Sequence, residues 1–340
     1  MPLDPSFPEA SLERPLAFGP ERTLTFGVEH NLVGTLTLPP AAPRSIDGAE
    51  PAPAPRYAVL LTNVGLMPRS GPYRLNVELA RRFAALGAPC LRFDLSGLGD
   101  SARGSAALTS AEQWVQDTRA AMDEVERQLG VSRFLMIGVC SGADLAHQVA
   151  PQDERLAGIV LFDPYLYPTR RSALIALRHR LRAQGVATTA LAFAKRLARS
   201  LQGVLARGAA ADDGEESTLR YGPSAPPLAV FAERLGATVQ RGGRVLMLYS
   251  GSYPHHHNYE QQTADNLRPF GLADKVEAGI IGESDHVLMG MAGRRAFIER
   301  CIDAGERWFG AAHARETVAL LQPAAVPRRA AARVPATAAA

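Results

Sequence analysis

The residues best placed to do chemistry in this chain are Gly138-Val139-Cys140-Ser141-Gly142, a Gly-x-Cys-x-Gly run that closes an apolar stretch beginning at Phe134. Such a run reads as a strand turning sharply into a helix with its central side chain at the apex, the arrangement called a nucleophile elbow. The flanking glycines let strand and helix approach closely. A thiol attacks only as thiolate, and a free cysteine is little ionised near neutrality. The unpaired N–H groups at the start of the following helix favour the anion. Cys140 is therefore the candidate nucleophile. Ser141 is off the centre of the glycine pair, so it is expected to supply a backbone N–H rather than a nucleophilic hydroxyl. Cys90 and Cys301 fall in mid-strand and mid-helix and read as small core residues.

A thiol at an apex needs a base, an acid and hydrogen-bond donors around it, and so needs a framework that brings distant segments together. A continuous apolar run over 57–63 reads as a strand buried on both faces of a parallel sheet, and further strands are expected over 88–94, 134–139, 158–163, 244–249 and 276–281. Between them the spacing predicts helices near 72–86, from an N-cap at Ser110 to Leu129 with Gly130 as stop, from the elbow to about Ala150, and over Gly293–Trp308. Leu24 to Leu38 reads as a hairpin. The strand–helix alternation predicts a right-handed, mostly parallel sheet with helices on both faces and ligands at the strand C-terminal ends. Pro/Ala-rich residues 39–56 read as a mobile loop.

The composition is that of a globular protein: 340 residues, 46% hydrophobic and 21% charged, with a formal charge of +3 that by itself calls for no nucleic acid. The three cysteines stand far apart, with no CxxC or His/Cys cluster to hold zinc, which suits a reducing compartment. No basic leader followed by an apolar run opens the chain, and no apolar stretch is long enough to span a bilayer, so a cytoplasmic protein without cofactor or metal is expected.

With these elements placed, residues of about 20–310 resemble the α/β-hydrolase fold. The likeness is carried by Gly138–Gly142, by Phe93-Asp94-Leu95-Ser96-Gly97-Leu98-Gly99-Asp100-Ser101, and by Ser284-Asp285-His286 after the last strand. The second of these is similar to serine-aminopeptidase-like and exosortase-associated hydrolases; a cysteine at the elbow is similar to dienelactone hydrolase. The resemblance implies His286 as the base. It also implies an acid after the strand ending at Tyr249, but that loop reads Ser250-Gly251-Ser252-Tyr253-Pro254, with no carboxylate until Glu260. Asp163, ending the preceding strand, is the favoured substitute, with Glu260 second and Asp285 third. The oxyanion hole is expected to join the Ser141 N–H to one from the loop after Asn63-Val64-Gly65, at Leu66. Asp94 and Asp100 read as residues that hold their loop. The adjacent His255, His256 and His257 cannot all face one site and read as a loop near the pocket mouth.

The expected organisation is an extended segment over 1–20, a core over 21–163 and 238–311, a helical lid over 164–237 and a disordered tail over 312–340. Between Asp163 and Asp212 there is no acidic residue, while basic residues, Arg178, Arg180 and Arg182 among them, are interspersed with Leu, Ile, Ala and Phe. Such helices have a basic and an apolar face. They suit either a solvated lid or docking of an anionic donor, such as an acyl carrier protein or coenzyme A; an acidic membrane surface is a further candidate, and nucleic acid lacks a recognition motif. The expected activity is cleavage of a small-molecule ester or thioester through an acyl-cysteine. Acyl transfer to an amine or alcohol is the alternative, and a catalytically silent binding partner of the same fold the third reading.

Overall fold

The computed structural model describes residues 18–40, 55–182, 185, 225–252 and 257–310. Eight strands form one sheet: β1 (Glu21–Phe26), β2 (Leu32–Thr37), β3 (Ala58–Leu61), β4 (Cys90–Phe93), β5 (Phe134–Val139), β6 (Leu156–Phe162), β7 (Arg244–Ser250) and β8 (Glu277–Ile281). Their order across the sheet is β1-β2-β4-β3-β5-β6-β7-β8. The first two strands form the antiparallel hairpin at one edge, β2 also runs antiparallel to β4, and every later pairing is parallel. This is the α/β-hydrolase fold, and it places the ends of β3, β5, β6, β7 and β8 along one rim.

The six named α-helices are α1 (Leu75–Ala85), α2 (Ser110–Leu129), α3 (Ser141–Val149), α4 (Leu228–Gln240), α5 (Gln262–Leu267) and α6 (Met291–Phe309). Two apolar clusters sandwich the sheet. In one, Phe83 of α1 and Phe297 of α6 join Val59, Leu61 and Phe162; in the other, Met122 of α2, Leu145 of α3 and Phe231 of α4 join Leu60, Met136 and Leu161. Each such fully buried side chain stabilises the fold by about 1.5–3 kcal/mol relative to an exposed one.

Two boundaries differ from the sequence expectation for local reasons. Helix α2 is capped by Thr109, not Ser110. Thr109 and Glu112 form a reciprocal capping box, with the Glu112 carboxylate accepting the Thr109 N–H at 2.9 Å. Helix α4 crosses residue 237, where the insertion was expected to end, because its apolar face belongs to the core: Phe231, Ala232 and Leu235 are buried. The backbone over 170–182 is helical, within the stretch 164–237 expected to be helical. Most of the loop expected over 39–56, residues 186–224 of the expected helical lid, His255, His256 and the tail expected beyond 312 lie outside the described residues. Among the described residues no helix is long and apolar enough to cross a membrane.

Candidate active site

The elbow is built at the end of β5. Cys140 takes φ 55°, ψ −118°, a conformation that costs a non-glycine residue about 1–3 kcal/mol and lifts its side chain out of the strand line. Its N–H bonds Phe162 O at 3.0 Å, tying the apex to β6, and its carbonyl accepts from Ala143 N and Asp144 N as α3 begins. A Cβ on Gly138 would run into the backbone carbonyl of Gly142, so the crossing of strand and helix admits only glycine there. Cys140 is partly exposed, whereas Cys90 and Cys301 are buried.

Three loops converge on this thiol. Asp163 follows β6 at φ 47° and is buried. Its Oδ2 accepts from His286 Nδ1 at 2.8 Å and from Ser250 Oγ at 2.6 Å, while its Oδ1 accepts the Ser250 N–H at 2.7 Å. The position at the end of β7, where a carboxylate was expected from the resemblance, therefore carries a serine that donates twice to a carboxylate one strand over. His286 N bonds Ser252 Oγ at 3.0 Å, which fixes the histidine loop against the end of β7. With Nδ1 held by Asp163, Nε2 is the nitrogen left for Cys140. Burial opposes the charge on His286, but hydrogen bonds with Asp163 and Cys140 outweigh it and raise the imidazole to about 10. The structure thus brings Cys140, His286 and Asp163 together.

The other two acid candidates stand apart from this triad. Asp285 is committed to its own turn, accepting the N–H groups of Val287, Met289 and Gly290. Burial opposes its charge, and those donors hold its carboxyl below the usual range. Glu260 is exposed. His257, expected at a pocket mouth, is instead buried and stacked on Tyr249, with ring centroids 3.8 Å apart. Burial lowers it to about 4, the Asp163 charge opposing, so it is a neutral packing residue. Among the described residues no group of histidines, cysteines and carboxylates could hold a metal ion.

The loop after β3 approaches the elbow from the other side. Its Gly65 N–H donates to Ser141 Oγ at 2.8 Å. Leu66 has an exposed side chain, and its N–H has no acceptor among the described residues. The loop is clamped from beneath by Asp94, which is fully buried. Asp94 Oδ1 accepts from Asn63 Nδ2 at 2.9 Å and from Arg69 N at 2.6 Å, and its Oδ2 accepts from Arg69 Nη1 at 2.6 Å. Arg69 also reaches Asp100 at 2.6 Å. A side chain on Gly99 would strike the Asp94 carboxylate, which accounts for the second glycine of the Gly-x-Gly after β4.

One residue at the site escaped the sequence reading. Asp144, one turn beyond Cys140 on α3, is partly buried; burial lifts its carboxyl to about 7 against the opposing field of His286. Tyr165 and Tyr167 lie close enough to feel its charge. Its place four residues after the thiol, on the same helix face, was the available signal. Arg178, Arg180 and Arg182 are exposed on the helical stretch 170–182, with no ion-pair partner among the described residues.

A family profile described as serine aminopeptidase, S33 (Hydrolase_4) matches residues 55–229. A search of curated proteins finds no match. Similar solved structures include an esterase of Pyrococcus furiosus, at 12% identity and TM-score 0.49, covering 87% of this chain and 93% of that one. A serine hydrolase of Xanthomonas campestris without a lid aligns at 14% identity and TM-score 0.47, covering 88% of this chain and 99% of that one. The esterase domain of a Rhodothermus marinus protein aligns at 17% identity and TM-score 0.46, covering 86% of this chain and all (100%) of that domain.

Proposed function

Because the chain belongs to the serine aminopeptidase S33 family of α/β-hydrolases, we propose that it is a hydrolase of small ester or thioester substrates that works through Cys140 instead of a serine. The observation that carries this reading is the 2.8 Å bond between His286 Nδ1 and Asp163 Oδ2, with Cys140 in hydrogen-bond contact with the same imidazole. A silent binding partner would have no use for a charged imidazole held beside a thiol on a strained apex.

In the proposed cycle the Cys140 thiolate attacks the acyl carbon, a C–S bond forms and the carbonyl pair moves onto oxygen. On collapse, the bond to the leaving alcohol or thiol breaks, and the His286 Nε2 proton goes to that leaving group. His286, now neutral, takes a proton from water as the hydroxide adds to the acyl carbon. The C–S bond then breaks, the acid leaves and the thiolate–imidazolium pair is restored. Asp163 fixes the tautomer and orientation of the ring. The Ser141 N–H and the Leu66 N–H of the loop after β3 are the donors for the oxyanion. Because an acyl thioester stays activated, an amine or alcohol could compete with water in the second half, which is the acyltransferase variant. Replacing the nucleophile tests the reading: Cys140→Ala is expected to bring turnover of aryl esters and acyl thioesters to background, and full retention of turnover would sink it.

The exposed Arg178, Arg180 and Arg182 favour, as a second reading, a donor carried on an anionic group, the phosphates of coenzyme A or an acyl carrier protein. Changing all three to Gln is expected to raise KM for an acyl-CoA well beyond its effect on a small aryl ester. Equal effects on both would leave these residues with a lid role alone.

A further inference from the structure

Ser141 holds two hydrogen-bonding groups beside the nucleophile, and the proposed mechanism uses only its N–H. Its side chain is partly buried, and its Oγ accepts the Gly65 N–H at 2.8 Å, joining segments 76 residues apart in sequence. Gly65 has little freedom to turn that N–H elsewhere. It sits at φ 56° in a turn closed by Met67 N to Val64 O at 3.0 Å, and Asn63, at the root of the same loop, is held by Asp94. The Gly65 amide therefore ends on a hydroxyl.

A hydroxyl that has accepted one hydrogen bond still has its own O–H to give. No acceptor for the Ser141 O–H is found among the described residues, and none for the Ser141 N–H. Both donors sit on the residue adjoining Cys140, at the start of α3. We propose that the Ser141 hydroxyl is itself an oxyanion-hole donor, polarised from behind by the Gly65 N–H, so that a relay of Gly65 N–H to Ser141 Oγ and Ser141 O–H to substrate oxygen stabilises the charge formed on attack by Cys140. Hydrogen bonds in such a chain strengthen one another. No bond is made or broken at Ser141, which keeps its proton throughout. The inference rests on the reading of Cys140 as nucleophile.

The test pairs two reactions of the same thiol. Acylation by an aryl ester passes through an oxyanion, whereas alkylation by iodoacetamide does not. Ser141→Ala is expected to lose about 10²–10³-fold in kcat with KM little changed, as for loss of one oxyanion donor, while Cys140 alkylates at the wild-type rate. Ser141→Thr, which keeps the hydroxyl, is expected to recover most of the loss. An unchanged or faster kcat in Ser141→Ala would overturn the relay, since the freed Gly65 N–H would then serve the oxyanion directly. Parallel loss of alkylation and turnover would also overturn it, as the mark of a disturbed elbow. Failure of the underlying reading shows separately: wild-type protein would then acquire no acyl group at Cys140.

Discussion

Asp163→Asn is expected to lower kcat by about 10²–10⁴-fold while Glu260→Gln leaves it near wild type. The asymmetry follows from what converges on Asp163. Three donors meet its two oxygens, the Ser250 N–H, the Ser250 hydroxyl and the His286 Nδ1–H. An amide has one oxygen to offer them and presents an N–H group to the others, so the ring is driven to the wrong tautomer or out of line. Glu260 is exposed and its neutralisation disturbs no such group. A thiolate–imidazolium pair leans on its acid less than a serine does, which sets the lower end of the range. Equal losses in the two variants would remove Asp163 from the proposed triad.

The same substitution has a pH signature. An imidazole raised to about 10 in the folded protein, against about 6.5 unfolded, adds stability that is fully present below pH 6.5 and disappears as pH rises through 10. Part of that rise comes from Asp163. The stability gap between wild type and Asp163→Asn should therefore be wider at pH 6 than above pH 10, read by urea unfolding at each pH. A gap independent of pH would mean that the two groups are not coupled.

The second large effect concerns the backbone beneath the thiol. Gly138→Ala is expected to destabilise the protein by about 3 kcal/mol or more, because the added Cβ meets the Gly142 carbonyl, and neither β5 nor α3 can yield without opening the elbow. Gly130→Ala is the control. Gly130 ends α2 at φ 67° with open space around it, so only the conformational cost of about 1–2 kcal/mol applies. Chemical unfolding of the two variants distinguishes the mechanisms: equal destabilisation would mean that Gly138 serves conformational freedom rather than close approach.

The fold was legible because its signals are local. Buried parallel strands appear as unbroken apolar runs, and glycine marks the turns between them. Where the signal was local but misread, the error was small: Thr109-Ser110-Ala111-Glu112 contains the capping box one residue before the expected cap. In the same way, Leu228, Phe231, Ala232 and Leu235 have the helical spacing that carries α4 past residue 237. At the site, Cys140 announces itself by its glycine frame. His286 follows from the resemblance, and Asp163 from its place at the end of β6 together with the carboxylate-free loop after Tyr249. What sequence could not show are contacts that only tertiary packing creates. The Gly65 N–H meeting Ser141 Oγ depends on how two strand ends sit side by side. The stacking of His257 on Tyr249 likewise turns a histidine expected in a loop at the pocket mouth into a buried neutral one.

The central claim is that Cys140 carries the acyl group. Brief reaction with 4-nitrophenyl acetate, acid quench and mass mapping of the proteolysed chain tests it directly. One acetyl group on the peptide containing Cys140, released by hydroxylamine and missing from Cys140→Ala, is the predicted result. Acetylation at another residue, with Cys140→Ala still turning over at the wild-type rate, would contradict the account.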